Sequence, residues 1–348
     1  RLSVRPKIFD TDLALVYISG KNTKLTLTGD ARLWGDTSRI DWKASGFWSA
    51  AEGTDVGRGI ADDFRNGAQG AQILLSEEWT GSLEHLQYAI DLSHDGYTVT
   101  MNGGSIRNNH VYAREWQGIV NLTGSNSKFI IDGKNAEIVN NTMDVPGSST
   151  TAPGVVYASE GSQSLLEFRQ GTIADNTGGF SGALSLNGWD LVIGREGQDD
   201  SLTVLRNNTA TNIGTMYMGG AVRMQGGASF TMYSGTAEEN RTSLLHYASI
   251  SDTPSALNSG AFYIQSVDRV QLLGGRILRN KADNSDNVSG HCGGAGGVSI
   301  FKCDDVTVQN MLFEGNSTEH EYTYKATALY VDDGSTRGGT LGDITVSD

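Results

Sequence analysis

One short motif limits the fold more than any other feature of the chain. An apolar residue, two others and then asparagine recurs at Ile106–Asn109, Ile138–Asn141, Ile173–Asn176, Leu205–Asn208, Ala237–Asn240, Ile277–Asn280 and Phe313–Asn316. Successive asparagines are 32, 35, 32, 32, 40 and 36 residues apart, and an aspartate variant, Leu33–Asp36, precedes the series. A fixed period of this size marks a stacked repeat, in which each unit buries its apolar face only against its neighbours.

Two further patterns keep the same period. After each asparagine comes small–Gly–small–apolar followed by alternation, as in Gly219-Gly220-Ala221-Val222, Ser181-Gly182-Ala183-Leu184 and Ser259-Gly260-Ala261-Phe262. Before the next asparagine lies a short alternating segment, such as Leu25-Thr26-Leu27-Thr28-Gly29, Val99-Thr100-Met101-Asn102-Gly103 or Phe230-Thr231-Met232. Three short strands per unit with turns at fixed places predict an all-β chain, a right-handed parallel β-helix over residues 1–348 as one domain. Eight or nine rungs at the strand spacing of about 4.8 Å predict a rod roughly 40 Å long. A stack of helical repeats is disfavoured, because the period inside each unit is two.

The repeated asparagine suits a sharp corner. It tolerates the left-handed backbone region and hydrogen-bonds locally. Stacked corners would also place the amides one above another, where they can bond along a ladder. The Asn-x-Ser/Thr sequons at Asn121, Asn140, Asn207, Asn240, Asn287 and Asn316 arise from the repeat itself and say little about glycosylation.

Composition agrees and excludes some partners. Glycine is abundant at 45 and proline scarce at 4, and only 19% of residues are charged, which fits a turn-rich chain with few long helices. A formal net charge of −14 argues against a nucleic-acid partner, which needs a basic face, and against anionic lipid. No run of 18 apolar residues provides a membrane span. A start at Arg1 suggests a processed product. Cys292 and Cys303 have no CxxC spacing and are read as not forming a disulfide framework.

Function is sought where the repeat varies in length. Between the corner asparagine and the next glycine lie 8 residues (110–117), 12 (142–153), 5 (177–181), 11 (209–219), 19 (241–259), 16 (281–296) and 10 (317–326), and 33 (37–69) in the first unit. The insertions therefore leave at one corner and line one edge, which in repeat proteins is often the binding face. The segment 37–69 holds Trp42, Trp48, Glu52, Asp55 and Asp62. Exposed indoles beside carboxylates make a sugar-binding surface, although aromatic residues also cap an open first rung. Residues 76–92 read as a short helix or an irregular rung with Trp79 near its start. Trp42, Trp48, Glu52, Trp79 and, in the last insertion, Tyr322 and Tyr324 are the ligand-contacting candidates.

The motifs resemble known repeats. Phe313-Glu314-Gly315-Asn316 and Gly219-Gly220-Ala221-Val222 are similar to repeats of chlamydial polymorphic outer-membrane proteins. Gly226-Gly227-Ala228-Ser229-Phe230-Thr231-Met232 resembles repeats of large secreted bacterial β-helix surface proteins. The likeness covers about residues 20–348 and implies an adhesin or cell-surface protein. More broadly it resembles the pectin-lyase-like superfamily, whose members include lyases, glycoside hydrolases and phage tailspikes, and fold alone does not choose among them.

A glycosidase needs two carboxylates, about 5 Å apart for retention or roughly 6.5–9.5 Å for inversion. Two pairs are available, Asp268 with Asp304 on neighbouring rungs, and Asp55 with Asp62. No cofactor is expected, although neighbouring aspartates could invite a calcium ion. A lyase-like acidic cluster with a basic partner is absent, Gly290-His291-Cys292-Gly293 does not match a polygalacturonase-type Gly-His-Gly, and Glu319-His320-Glu321 reads as a polar loop rather than a metal site. The leading expectation is an extracellular bacterial surface protein of adhesin type that binds a glycan or surface partner along the loop-bearing edge. The alternative is a carbohydrate-active enzyme of the same fold using a carboxylate pair, a glycoside hydrolase before a lyase.

Overall fold

The computed structural model describes residues 2–3, 14–35, 58–62, 69–112, 117–144, 152–211, 217–243, 256–283, 292–318, 324–332 and 344–347. Within them alternation produces strands as the repeat predicts. In Val222–Gln225, Val222 and Met224 point into the core and are fully buried, so Arg223 and Gln225 point outward. Phe262–Gln265 and Val298–Phe301 repeat the arrangement.

These strands stack in parallel on the equivalent strands one repeat away, giving a parallel β-helix. The small–Gly–small–apolar segments lead into a 10-stranded parallel sheet running from Ala14–Ile18 to Leu329–Asp332 in chain order. Gly219 and Gly220 are needed there for close approach. A Cβ on them would meet the carbonyl oxygens of Val222 and Gly260 at 1.8 and 1.9 Å. The ten strands exceed the eight or nine turns read from the sequence.

An 18-stranded parallel sheet supplies two further walls. Lys128–Val139 and Leu165–Ala174 run through both walls. Elsewhere the chain breaks between them, at a glycine such as Gly235 (φ 116) between Ser229–Met232 and Thr236–Glu238, or at Asn310 (φ 51) between Asp305–Gln309 and Met311–Glu314. Inward side chains from all these walls form one apolar cluster, from Ile18 to Val308. At about 25 cal/mol per Å² of buried apolar surface, this shared core is what holds the sheets together.

The corner asparagines form a ladder, as their spacing predicts. Asn109, Asn141, Asn176, Asn208, Asn240, Asn280 and Asn316 stack, and each Nδ2 donates to the Oδ1 of the next at 2.8–3.0 Å. The same Nδ2 donates to the carbonyl of the apolar residue one rung back at 2.7–3.2 Å. Each backbone N–H, from Asn109 to Asn280, also donates to the next Oδ1 at 2.9–3.3 Å. From Asn141 to Asn280 every donor and acceptor of the buried amide is thereby used, as a dry interior requires.

The reason for asparagine differs from the expectation in one respect. The left-handed seat is the residue before the ladder, occupied by Asn108, Asn140, Asp175, Asn207, Glu239, Arg279 and Gly315, all with φ between 49 and 65°. Ladder asparagines are selected for their two-sided amide rather than for backbone tolerance. The ladder starts against Leu86, whose backbone N–H donates to the Asn109 Oδ1 at 2.9 Å.

The loop-bearing corner carries strands of its own. A 7-stranded parallel sheet, from His110–Tyr112 to Ser317–Thr318, follows the ladder. Four later insertions end in a second parallel sheet, Tyr217–Gly219, Ala256–Ser259, Cys292–Ala295 and Tyr324–Ala326. Each of these insertions therefore begins with a strand, and the four later ones also end in one. The segment 37–69 is likewise interrupted by Arg58–Asp62, a member of the 10-stranded sheet. Residues 76–92 form no helix. They contain Ser82–Glu84 and Tyr88–Leu92, strands of an irregular rung.

Candidate functional site

The outward face of the 10-stranded sheet lies beside the insertions. Its side chains follow from register. Asp91, Asn121, Tyr157, Ser185, Arg223, Tyr263, Ser299 and Tyr330 fall in one column along successive strands. An outward column would ordinarily be solvated, yet Tyr157, Ser185, Arg223, Tyr263 and Ser299 are all buried. Polar groups placed under cover cost free energy unless they are bonded.

Some are bonded. The Arg223 Nε donates to the Tyr217 carbonyl at 3.1 Å, and its Nη2 donates to the Gln225 Oε1 at 2.6 Å. The guanidinium stacks on the Phe180 ring, 4.4 Å from its centroid. The Tyr263 hydroxyl donates to the Gln265 Oε1 at 2.9 Å, and its ring packs on Tyr217 with centroids 5.6 Å apart. On the last strand of the sheet, the Tyr330 hydroxyl donates to the Asp332 Oδ2 at 2.7 Å. The hydroxyls of Ser185 and Ser299 have no hydrogen-bond partner among the described residues.

Burial dominates the electrostatics. It pushes the Tyr263 phenol well above its ordinary range, with the neighbouring Tyr217 adding to the effect, and it raises Tyr157. Burial also lowers Arg223, against which the Tyr263 and Tyr157 hydroxyls act weakly. An arginine nonetheless remains charged. The arrangement brings hydroxyl, amide and guanidinium groups together with aromatic rings.

The residues singled out in the sequence fare differently. Trp79 is fully buried, and its indole N–H donates to the Ala31 carbonyl at 2.7 Å. A Cβ on Gly104 would meet the Trp79 ring at 2.1 Å, so the ring is wedged into the stack. It offers no face to a ligand, because an indole that large stabilises an apolar interior more than an edge. Asp62 is buried and saturated. It accepts from the Ser93 N–H and Oγ and from the His94 N–H, and lies 2.7 Å from the His94 Nδ1. That set holds a turn and leaves Asp62 no free oxygen for catalysis.

Asp268 and Asp304 occupy equivalent turns on neighbouring rungs, adjoining the registered pair Arg269 and Asp305. Both are exposed. Trp42, Trp48, Glu52, Asp55 and Tyr322 lie outside the described residues, and of Tyr324 only the backbone is described. Among the described residues no group of three or more His, Cys, Asp or Glu could hold a metal ion. Cys303 is a free, buried thiol. No described helix is long and apolar enough to cross a membrane.

Arg223, Tyr263 and their neighbours were missed by the sequence reading. The available signal was the strand pattern itself: Val-Arg-Met-Gln and Phe-Tyr-Ile-Gln put a large polar residue at the outward position of adjacent rungs. No protein-family model matches the chain, and no curated protein and no solved structure matches it either.

Proposed function

We propose that this chain is an extracellular bacterial surface protein of adhesin type, and that it binds a glycan or surface partner on the outer face of the 10-stranded sheet and the insertions beside it. The observation that carries the reading is the covered polar column from Tyr157 to Ser299. A sheet face serving only as a wall would be solvated or apolar. Here a buried arginine, tyrosines and unbonded serine hydroxyls sit together beside the edge where length varies. Clustered polar groups of that kind orient a hydroxyl-rich ligand. The likeness of Phe313-Glu314-Gly315-Asn316 and Gly219-Gly220-Ala221-Val222 to repeats of chlamydial polymorphic outer-membrane proteins supports the same class.

The enzymatic alternative rests on Asp268 and Asp304, whose neighbouring turns bring two carboxylates to the same side. Their exposure supports it poorly, since general acid catalysis at neutral pH wants a carboxyl with a raised pKa in a shielded site.

A glycan array probed with the full chain, together with an oligosaccharide panel assayed for new reducing ends, tests both. Selective binding without product formation is the expected result. No binding on the array or to host-cell surfaces overturns the proposal, and cleavage lost in Asp268→Asn or Asp304→Asn replaces it with the hydrolase.

A further inference from the structure

We propose that Arg223 is the specificity determinant of this face and selects a glycan that bears an oxyanion, either a carboxylate or a sulfate. The inference deepens the glycan-binding reading and rests on it. Arg223 is a buried cation whose described contacts are all neutral: a backbone carbonyl, a glutamine amide and the Phe180 ring. The described arginines that form ion pairs, Arg58, Arg107, Arg169, Arg195, Arg269 and Arg279, are all more exposed, and each has a carboxylate within 4 Å. Arg223 has none among the described residues. A buried charge without a counterion is costly, and an arginine fork with free N–H groups is the natural receptor for a planar carboxylate or a sulfate.

A second observation points to the same ligand. Ser185 is the registered neighbour of Arg223 on the adjacent strand, fully buried, and its hydroxyl has no partner. An oxyanion beside the guanidinium would accept from that hydroxyl as well. Gln225, half-buried, fixes the Nη2 edge, and Asn187, its registered neighbour, is exposed. This side of the column is therefore the less covered one. The protein is strongly acidic overall, with a net charge of −14, so a lone buried arginine supplies selectivity that bulk charge would oppose.

The test uses the full chain and glycan pairs identical except for one group: free acid against methyl ester, and sulfated against unsulfated. Truncating one side of a buried charge pair weakens binding by about 30-fold or more. The charged member of at least one pair should therefore bind about 30-fold tighter than its neutral partner. That preference, read as the ratio of the two affinities within each variant, should vanish in Arg223→Gln, shrink in Arg223→Lys and weaken in Ser185→Ala. The comparison in the wild-type chain needs no variant, so misfolding of Arg223→Gln does not remove the test. Equal binding of charged and neutral members, or a preference that survives in Arg223→Gln, overturns the proposal and leaves the glycan-binding reading intact. Should no glycan bind, thermal shifts with sodium sulfate against sodium chloride at matched ionic strength separate the two. Stabilisation by sulfate that is lost in Arg223→Gln keeps the anion site and discards the glycan, and no sulfate effect discards both.

Discussion

Replacing Asn208 by alanine isolates what the ladder contributes. Its Nδ2 donates to the Ile173 carbonyl and to the Asn240 Oδ1, both at 3.0 Å. Its Oδ1 accepts from the Asn176 N–H at 3.3 Å and from the Asn176 Nδ2 at 3.0 Å. After Asn208→Ala, the Asn240 Oδ1 keeps the Asn208 backbone N–H at 3.0 Å. The Asn176 backbone N–H and one of its amide hydrogens are left without acceptors, in a site from which water is fully excluded. Each orphaned donor costs about 1–3 kcal/mol, so the variant should lose roughly 2–6 kcal/mol. Asn316→Ala orphans the equivalent donors of Asn280, at the last ladder position, where Asn316 is 9% exposed. Water can replace the amide there, and the loss should be about 1 kcal/mol. Urea unfolding gives the totals. Because stacked repeats open locally, hydrogen exchange of the strands flanking Asn176 and Asn208 gives the site-specific loss. Equal losses for the two variants would refute the reasoning, since burial would then not be what makes the ladder matter.

Other consequences can be measured directly. Trp79→Ala removes a fully buried indole and its bond to Ala31, and should cost about 3–5 kcal/mol in urea unfolding without changing ligand binding. Asp62→Asn loses the charged acceptor for Ser93 and His94 and should destabilise by about 1–3 kcal/mol, whereas Asp268→Asn and Asp304→Asn, at exposed turns, should change stability by less than about 0.5 kcal/mol. Burial pushes the Cys303 thiol from 9.0 up to about 11. Its folded pKa is raised, so the stability it contributes is complete below pH 9 and is lost as pH rises towards 11. A thiol reagent at pH 8 should therefore label Cys303 only after unfolding, and rapid labelling in the native state would contradict its burial.

The repeat made the fold legible because packing and hydrogen bonding impose the same residue type on every rung. Ile138, Ile173 and Ile277 must be apolar, and Asn141, Asn176 and Asn280 must carry an amide, so the pattern prints through the sequence. Where the structure is tolerant, the print fades. The left-handed seat accepts Asn, Asp, Glu, Arg and Gly, and it was assigned one residue too late. Strands as short as Thr177–Gly178 or Tyr217–Gly219 carry too few residues to show alternation, so ordered corner strands were counted as insertion. Arg58–Asp62, reading Arg-Gly-Ile-Ala-Asp, was hidden by its small residues inside a long insertion. Trp79 illustrates a different limit. An indole serves equally to plug a stack or to hold a sugar, and only its surroundings decide. The face carrying Arg223 and Tyr263 was written in the alternation, but only the register shows that these residues stack.

The stacking itself is open to one direct measurement. Lys24, Lys128 and Arg269 are exposed and belong to a single registered column, through Gln72 and Thr98 on one side and through Leu165, Asp190 and Ser229 on the other. At about 4.8 Å per strand, pulsed electron spin resonance between labels at these positions should give backbone separations near 14 Å for 24 to 128, about 19 Å for 128 to 269 and about 34 Å for 24 to 269. The two shorter distances should sum to the longest. Separations that do not add along one axis, or a 24-to-269 distance far from seven strand spacings, would contradict the parallel β-helix on which the proposed binding face depends.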